Sequence, residues 1–98
     1  MKYSIKGSTF ISDGTEIIIT INKYKIWKLL QSNGKSLITD DDIFDFEVWV
    51  NAQEDKDMLF NDLKTFINSY GGNINWHECK HDEDSNEPCV IKESYRGE

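Results

Sequence analysis

The residues best suited to metal binding or catalysis in this sequence are its two histidines and two cysteines. All four fall in one short stretch: His77, Cys79, His81 and Cys89. Thiolate sulfur and neutral imidazole nitrogen suit zinc, and two of each complete the tetrahedron of a structural site. On a regular strand His77 and His81 would lie about 13 Å apart, too far to share an ion bound at about 2.0–2.3 Å. The spacing therefore predicts a zinc site that requires a turn at residues 80–81.

The residues after this turn complete a predicted β-hairpin over residues 75–91. Residues 82–87 are polar and turn-prone, and the return strand begins after Pro88. Two other interpretations stay open, a disulfide between Cys79 and Cys89 or free thiols beside surface histidines. The first residues lack the apolar segment of a signal peptide, which predicts a reducing, cytoplasmic compartment and disfavours the disulfide.

The same stretch has the spacing of one catalytic motif but not its predicted conformation. His77, Glu78 and His81 match the H-E-x-x-H motif of zinc proteases, which requires a helix to bring both histidines to one face, whereas this segment is predicted to be a strand. On a strand Glu78 would point away from His77 and Cys79, and four protein ligands leave no position for a reactive water. P-loop, dinucleotide-binding and nucleophile-elbow motifs are missing from the sequence. We therefore expect a structural zinc, and we expect that the protein is not an enzyme.

Length and charge indicate one small acidic domain over residues 1–98, with a formal net charge of −7. Residues 1–35 carry six lysines against two acidic residues, a balance of +4, whereas residues 36–98 carry sixteen acidic residues against five basic ones, a balance of −11. An acidic half cannot neutralise phosphates, so we expect a basic protein surface as partner and no direct contact with nucleic acid. Solubility is the alternative reason for the acidity. No apolar run approaches the roughly 18 residues of a membrane span.

The elements that must position these residues begin with two predicted strands and a short helix, over residues 2–12, 15–22 and 24–30. Asp13-Gly14 is a typical hairpin turn, and the isoleucines after it alternate with other residues as they do in a strand. The pattern then changes to helical spacing, and Gly34 is well placed to end that helix.

Residues 43–50 give the clearest strand of the sequence. Its inward face is predicted to consist of Phe44, Phe46, Val48 and Val50. Asp45, Glu47 and Trp49 alternate with them and belong to the outer face.

A long amphipathic helix is predicted over residues 53–70, capped by Asn51 with Glu54 and ended by Gly71-Gly72. Its apolar stripe consists of Leu59, Phe60, Leu63, Phe66, Ile67 and Tyr70. Together the elements predict a single α+β domain with an antiparallel sheet, a short helix, this longer helix and the C-terminal zinc-binding hairpin. The last residues, 93–98, are expected to fray.

A tryptophan beside two carboxylates on an outer face predicts an interface anchor, because aromatic residues are enriched in binding cores. The alternative is that a loop or the first helix covers Trp49. If strand 43–50 neighbours the metal hairpin, the acidic residues form one continuous negative surface. The residues predicted to contact a partner are Asp40, Asp41, Asp42, Asp45, Glu47, Trp49, Asp82, Glu83 and Asp84.

With its length, acidity, lack of a catalytic set and His/Cys hairpin, the chain resembles the small acidic phage proteins that inhibit type II CRISPR nucleases. The resemblance implies a stoichiometric anti-CRISPR inhibitor in the cytoplasm of the host bacterium. Such a protein would bind the lysine- and arginine-rich surface of the RNA-guided nuclease and block DNA loading. We expect it to act as a monomer. The alternative is an intracellular interaction module that is stapled by zinc and unrelated to CRISPR.

Overall fold

The computed structural model of the protein describes residues 2–11, 13–79 and 90–97. In these residues the chain forms a small α+β domain with a five-stranded antiparallel sheet and two helices. The elements are β1 (Lys2–Thr9), α1 (Thr15–Ile21), β2 (Ile26–Lys35), β3 (Asp42–Val50), α2 (Gln53–Tyr70), β4 (Gly72–Cys79) and β5 (Val90–Gly97).

The strands are arranged in the order β2-β3-β1-β4-β5, so that the first strand of the chain is the centre of the sheet. Both helices contribute buried side chains to one core, on one face of the sheet. The core residues are Tyr3, Ile5, Ile17, Ile21, Phe44, Phe46, Val48, Val50, Leu59, Phe60, Leu63, Ile67 and Ile74. Because strand residues alternate between faces, the other face of the sheet carries the remaining residues and is not covered by these helices.

The structure confirms the strongest periodic patterns. The inward residues predicted for β3 are all buried, and α2 begins and ends at the predicted residues. Gly71 follows α2 with φ of 85°, a left-handed conformation that favours glycine. Two details differ, because the N-cap is Ala52 without a capping side chain, and Tyr70 is exposed at the end of the stripe.

The predicted strand over residues 15–22 is wrong, because Thr15–Ile21 forms helix α1. Ile17 and Ile21 are four residues apart and both fully buried, whereas Ile19 is 56% exposed. Asp13 does not form a hairpin turn. Its carboxylate accepts hydrogen bonds from the backbone N–H and the hydroxyl of Thr15, at 3.0 and 2.5 Å, which starts the helix.

The predicted helix over residues 24–30 is also wrong, because Ile26–Lys35 forms strand β2 and pairs with β3. Gly34 does not end a helix. It lies inside the strand opposite Ile43. A register shift between Ile26 and Lys28 inserts one residue, and this bulge interrupts strict alternation and gives the segment its helix-like spacing. At the other end, residues up to Gly97 pair with β4, so the expected fraying of residues 93–97 is wrong.

Candidate interaction surface and metal position

Two of the four predicted metal ligands, His77 and Cys79, lie two residues apart in β4, and His77 belongs to the face of the sheet without helices. The antiparallel pairing of β4 with β5 agrees with the predicted hairpin, and Val90, which follows Cys89 in the sequence, is opposite Glu78. His81 and Cys89 lie outside the described residues, as do the predicted contact residues Asp82, Glu83 and Asp84.

The side chain of His77 is only 9% exposed, although it belongs to the face without helices. Burial lowers the pKa of its imidazole, and the positive charge of Lys6 lowers it further, while Glu47 acts in the opposite direction. Nε2 of His77 lies 2.7 Å from Oδ1 of Asn75. In the tautomer that makes this contact a hydrogen bond, Nε2 carries the proton and Nδ1 carries the lone pair, because an amide oxygen only accepts.

This state of His77 fits a metal ligand, because zinc binds neutral imidazole and the second ring nitrogen is usually held by a hydrogen bond to an oxygen. Within residues 2–11, 13–79 and 90–97 no group of three or more His, Cys, Asp or Glu residues is arranged to hold an ion. Glu78 alternates with His77 and is placed on the helix side of β4. The zinc site therefore stays a prediction, and its test requires His81 and Cys89.

Trp49 lies on the face of β3 opposite the core residues, as predicted, and is partly exposed. Its ring centroid is 6.0 Å from that of Trp27, at an interplanar angle of 49°. Nζ of Lys28 lies 4.9 Å from the centroid of the Trp49 ring, within the range of a cation–π contact. Trp27 is 39% exposed. Sequence reasoning missed Trp27 and Lys28 because it assigned both to a helix, and an unpredicted bulge places them beside Trp49.

The predicted acidic residues on β3 occupy different environments. Asp45 is exposed, whereas Glu47 is half-buried and accepts a hydrogen bond of 3.4 Å from the hydroxyl of Ser4. Nζ of Lys6 is 3.7 Å from the same Glu47 oxygen. Ser4 is 2% exposed, and its described hydrogen bond joins it to Glu47 and not to His77, so these three residues are not arranged as a catalytic triad.

The condition for one continuous negative surface, that β3 neighbours the predicted metal hairpin, is not met, because β1 lies between β3 and β4. Lys6 of β1 lies opposite Glu47 of β3 on this face. The carboxylates of Asp40, Asp41 and Asp42 gather instead at the far end of the β2–β3 hairpin, where Lys35 forms an ion pair of 3.3 Å with Asp42. Seven residues of extended strand separate Asp42 from Trp49, which corresponds to about 23 Å.

Between these two ends the uncovered face contains a shallow, open cleft of about 470 Å³. Its lining includes Lys6, Ser8, Ser32, Asp45, Glu47 and Asn75. The mixture of one cation, two carboxylates and neutral hydrogen-bonding groups suits the polar side chains of a protein partner, because such groups fix orientation at an interface.

No helix among the described residues is both long and apolar enough to cross a membrane. The chain matched no protein-family model, no curated protein and no solved structure with which it was compared.

Proposed function

We propose that the protein is a stoichiometric inhibitor that binds a basic protein surface through the face of β2 and β3 that the helices leave uncovered. The resemblance stated above makes an RNA-guided type II CRISPR nuclease the target we favour. The observation that carries the proposal is the pair of partly exposed tryptophans, Trp27 and Trp49, with the exposed Asp45 on the same side of β3.

Tryptophan pairs of this kind are suited to anchor a protein interface. A few buried aromatic residues usually contribute most of the affinity, and the face of an indole ring attracts cations. Lys28 already occupies such a position over Trp49. An arginine of the partner would stack on the same aromatic pair, and guanidinium groups do so more readily than ammonium groups because they are planar and weakly hydrated.

The charge of the protein supports the same class of partner. A net charge of −7 on 98 residues favours encounter with a positive surface and opposes binding to phosphates. The channel that holds the guide–target duplex in an RNA-guided nuclease is lined by positive charge. An acidic domain bound there would exclude the target DNA, so inhibition would require one inhibitor molecule per nuclease and no catalysis.

A structural zinc is the second part of this proposal. His77, Cys79, His81 and Cys89 would hold the ion, and its role would be to close the end of the β4–β5 hairpin. Burial lowers the pKa of His77, which favours the neutral ring that zinc binds, and the contact with Asn75 would hold the ring in place; both support this assignment. The zinc would stabilise the fold and would not take part in a reaction.

The experiment measures the affinity of the purified protein for the guide-loaded nuclease by biolayer interferometry, at several salt concentrations. We expect a one-to-one complex whose association rate falls as salt increases. A Trp27→Ala/Trp49→Ala variant should bind at least about 100-fold more weakly, because two aromatic anchors are removed. Asp45→Lys should weaken binding, whereas the matched charge reversal Glu54→Lys, at an exposed position of α2, should not.

Two results would contradict the proposal. If the wild-type protein forms no complex with any type II nuclease tested, the inhibitor function is wrong, and an interaction module with another partner becomes the better interpretation. If Asp45→Lys and Glu54→Lys weaken binding equally, the contact depends on diffuse charge and not on the tryptophan face.

A further inference from the structure

The β2–β3 hairpin extends beyond the helices that cover the rest of the sheet. From Leu30 to Lys35 every residue of β2 is exposed, although alternate residues belong to opposite faces of the sheet. The distal half of β2 is therefore open to solvent on both faces. Leu37 and Ile38, in the turn that follows, are 104% and 95% exposed. We define the hairpin tip as residues 36–41.

The hairpin tip has a defined conformation. The backbone N–H of Ser36 donates to the carbonyl of Asp41 at 2.8 Å, and that of Asp40 donates to the carbonyl of Ser36 at 3.0 Å. The hydroxyl oxygen of Ser36 accepts from the backbone N–H groups of Ile38 and Thr39, each at 3.3 Å. These bonds hold the backbone while the side chains of Leu37 and Ile38 face solvent.

Two adjacent aliphatic side chains at full exposure do not stabilise this fold. Single exposed apolar residues are common on protein surfaces, but here two adjacent ones are fully exposed in a turn whose backbone is held by hydrogen bonds. Ordering before binding lowers the entropy that a complex must lose. The tip is therefore suited to insert into a partner.

We propose that Leu37 and Ile38 are an apolar anchor that enters a hydrophobic pocket of the partner protein, and that this pocket is surrounded by lysine and arginine side chains. The basic rim follows from charge complementarity, because Asp40, Asp41 and Asp42 flank the anchor and the described ion pair offsets only Asp42. This inference rests on the proposed function, because the partner is the same basic protein.

The charge also disfavours two other occupants of this surface. An anionic lipid surface would repel the three aspartates at the depth that the aliphatic side chains would have to reach. A second copy of the chain carries the same net charge of −7, so two approaching copies repel each other.

The test compares Leu37→Ser/Ile38→Ser with a matched control, Ile19→Ser, which changes a 56% exposed aliphatic residue on α1. The tip variant should keep its melting temperature, because neither side chain is buried in the fold. Its affinity for the guide-loaded nuclease should fall by about tenfold or more for each side chain, as expected for loss of aliphatic burial at an interface. Ile19→Ser should bind as the wild type does.

A second variant tests the role of the aspartates at the hairpin tip. Asp40→Asn/Asp41→Asn should slow association and make the association rate less sensitive to salt, while the dissociation rate changes little. Asparagine has nearly the shape of aspartate but is neutral, with one carboxylate oxygen replaced by an NH2 donor. Because Ser36 fixes the backbone of the turn, the variant tests mainly the charge.

The results separate this inference from the proposed function. A wild-type complex that loses affinity in the tryptophan variant but not in the tip variant would overturn the anchor and leave the proposed function intact. Absence of any wild-type complex would overturn both. Flotation of the wild-type protein with vesicles of phosphatidylcholine and phosphatidylserine, or a dimer in native mass spectrometry that the tip variant abolishes, would assign the anchor to another occupant and overturn the inference.

Discussion

Among the described residues two lysines lie over tryptophan rings, one on each face of the sheet. Lys56 of α2 is 3% exposed, with its Nζ 3.5 Å from the centroid of the Trp76 ring, and it also lies over Tyr3. Lys28 lies over Trp49 at 4.9 Å, and both belong to the uncovered face. The interaction is of the same kind in both clusters. The first is buried and belongs to the core, whereas Lys28 of the second is exposed to solvent.

The largest expected effect concerns the covered face. Leu63 is 1% exposed beneath α2, so Leu63→Ala should lower the free energy of unfolding by about 2–5 kcal/mol, the usual result of removing a large buried side chain. Chemical denaturation measures this change. Met58, on the exposed side of the same helix, provides the control, and Met58→Ala should change stability little. A similar cost at both positions would mean that the two faces do not differ as described.

Zinc removal tests whether the uncovered face has a stabilising element of its own. At a zinc concentration about 100-fold above its Kd, a bound ion would add about 2.7 kcal/mol to the free energy of unfolding. A chelator should therefore lower the melting temperature of the wild-type protein, and native mass spectrometry should detect about one zinc per chain. Cys79→Ser should show the lower melting temperature without chelator. A metal-free wild-type protein of unchanged stability would contradict the prediction.

The two lysines provide the most direct comparison of the faces. Lys56→Ala removes a buried stem and the cation between Tyr3 and Trp76, and should lower the free energy of unfolding by about 1–3 kcal/mol. Lys28→Ala removes an exposed cation and should change it by less than about 0.5 kcal/mol. Thermal unfolding of both variants checks this. Equal losses would show that Lys28 has a structural role and would weaken the case for a free binding face.

The smallest expected effect concerns Tyr24, whose hydroxyl donates to the carboxylate of Asp62 and so joins the segment before β2 to α2. This hydrogen bond, with smaller contributions from burial and from the charges of Asp62 and Asp55, raises the pKa of Tyr24 from 10.0 to about 12. The folded protein thus holds the phenol proton more tightly than the unfolded chain. The resulting stability is complete below pH 10 and is lost as the pH rises through 12.

Tyr24→Phe should therefore cost about 0.5–1.5 kcal/mol at neutral pH, the usual net value of one hydrogen bond. Between pH 10 and 12 the free energy of unfolding should fall less with pH in the variant than in the wild type. An identical alkaline loss in both proteins would assign the pH dependence to other groups.

Local patterns were sufficient to predict β3 and α2, because each buries one face at a constant period. Ile17, Ile19 and Ile21 fit the two-residue period of a strand, and Ile17 and Ile21 also fit the spacing of a helix. The pattern of isoleucines therefore does not distinguish a strand from a helix in this segment. In the structure the helix buries Ile17 and Ile21, and hydrogen bonds from Thr15 to Asp13 lie at its start. For β2 the deciding contribution is its pairing with β3, which no local pattern contains.

The same distinction applies to the candidate site. Alternation along β3 predicted that Asp45 and Trp49 face outward. Trp27 could not be predicted as the neighbour of Trp49, because its position depends on a bulge in another strand. The separation of β3 from β4 depends on where β1 enters the sheet, and that order is set by packing of the whole domain.

The central position of β1 also affects how quickly this protein reaches its fold. Lys2 pairs with Cys79, so the middle of the sheet is complete only after residues 77 positions apart in the chain have met. The entropy cost of closing a loop of this length comes before the stabilising contacts between the strands form. Folding dominated by such distant pairs usually takes milliseconds to seconds. During synthesis β3 leaves the ribosome before β4, so β1 can pair with β3 while its other edge stays open until β4 has emerged. The earliest strand to be made thus has an open edge for most of synthesis, and such an edge is prone to pair wrongly.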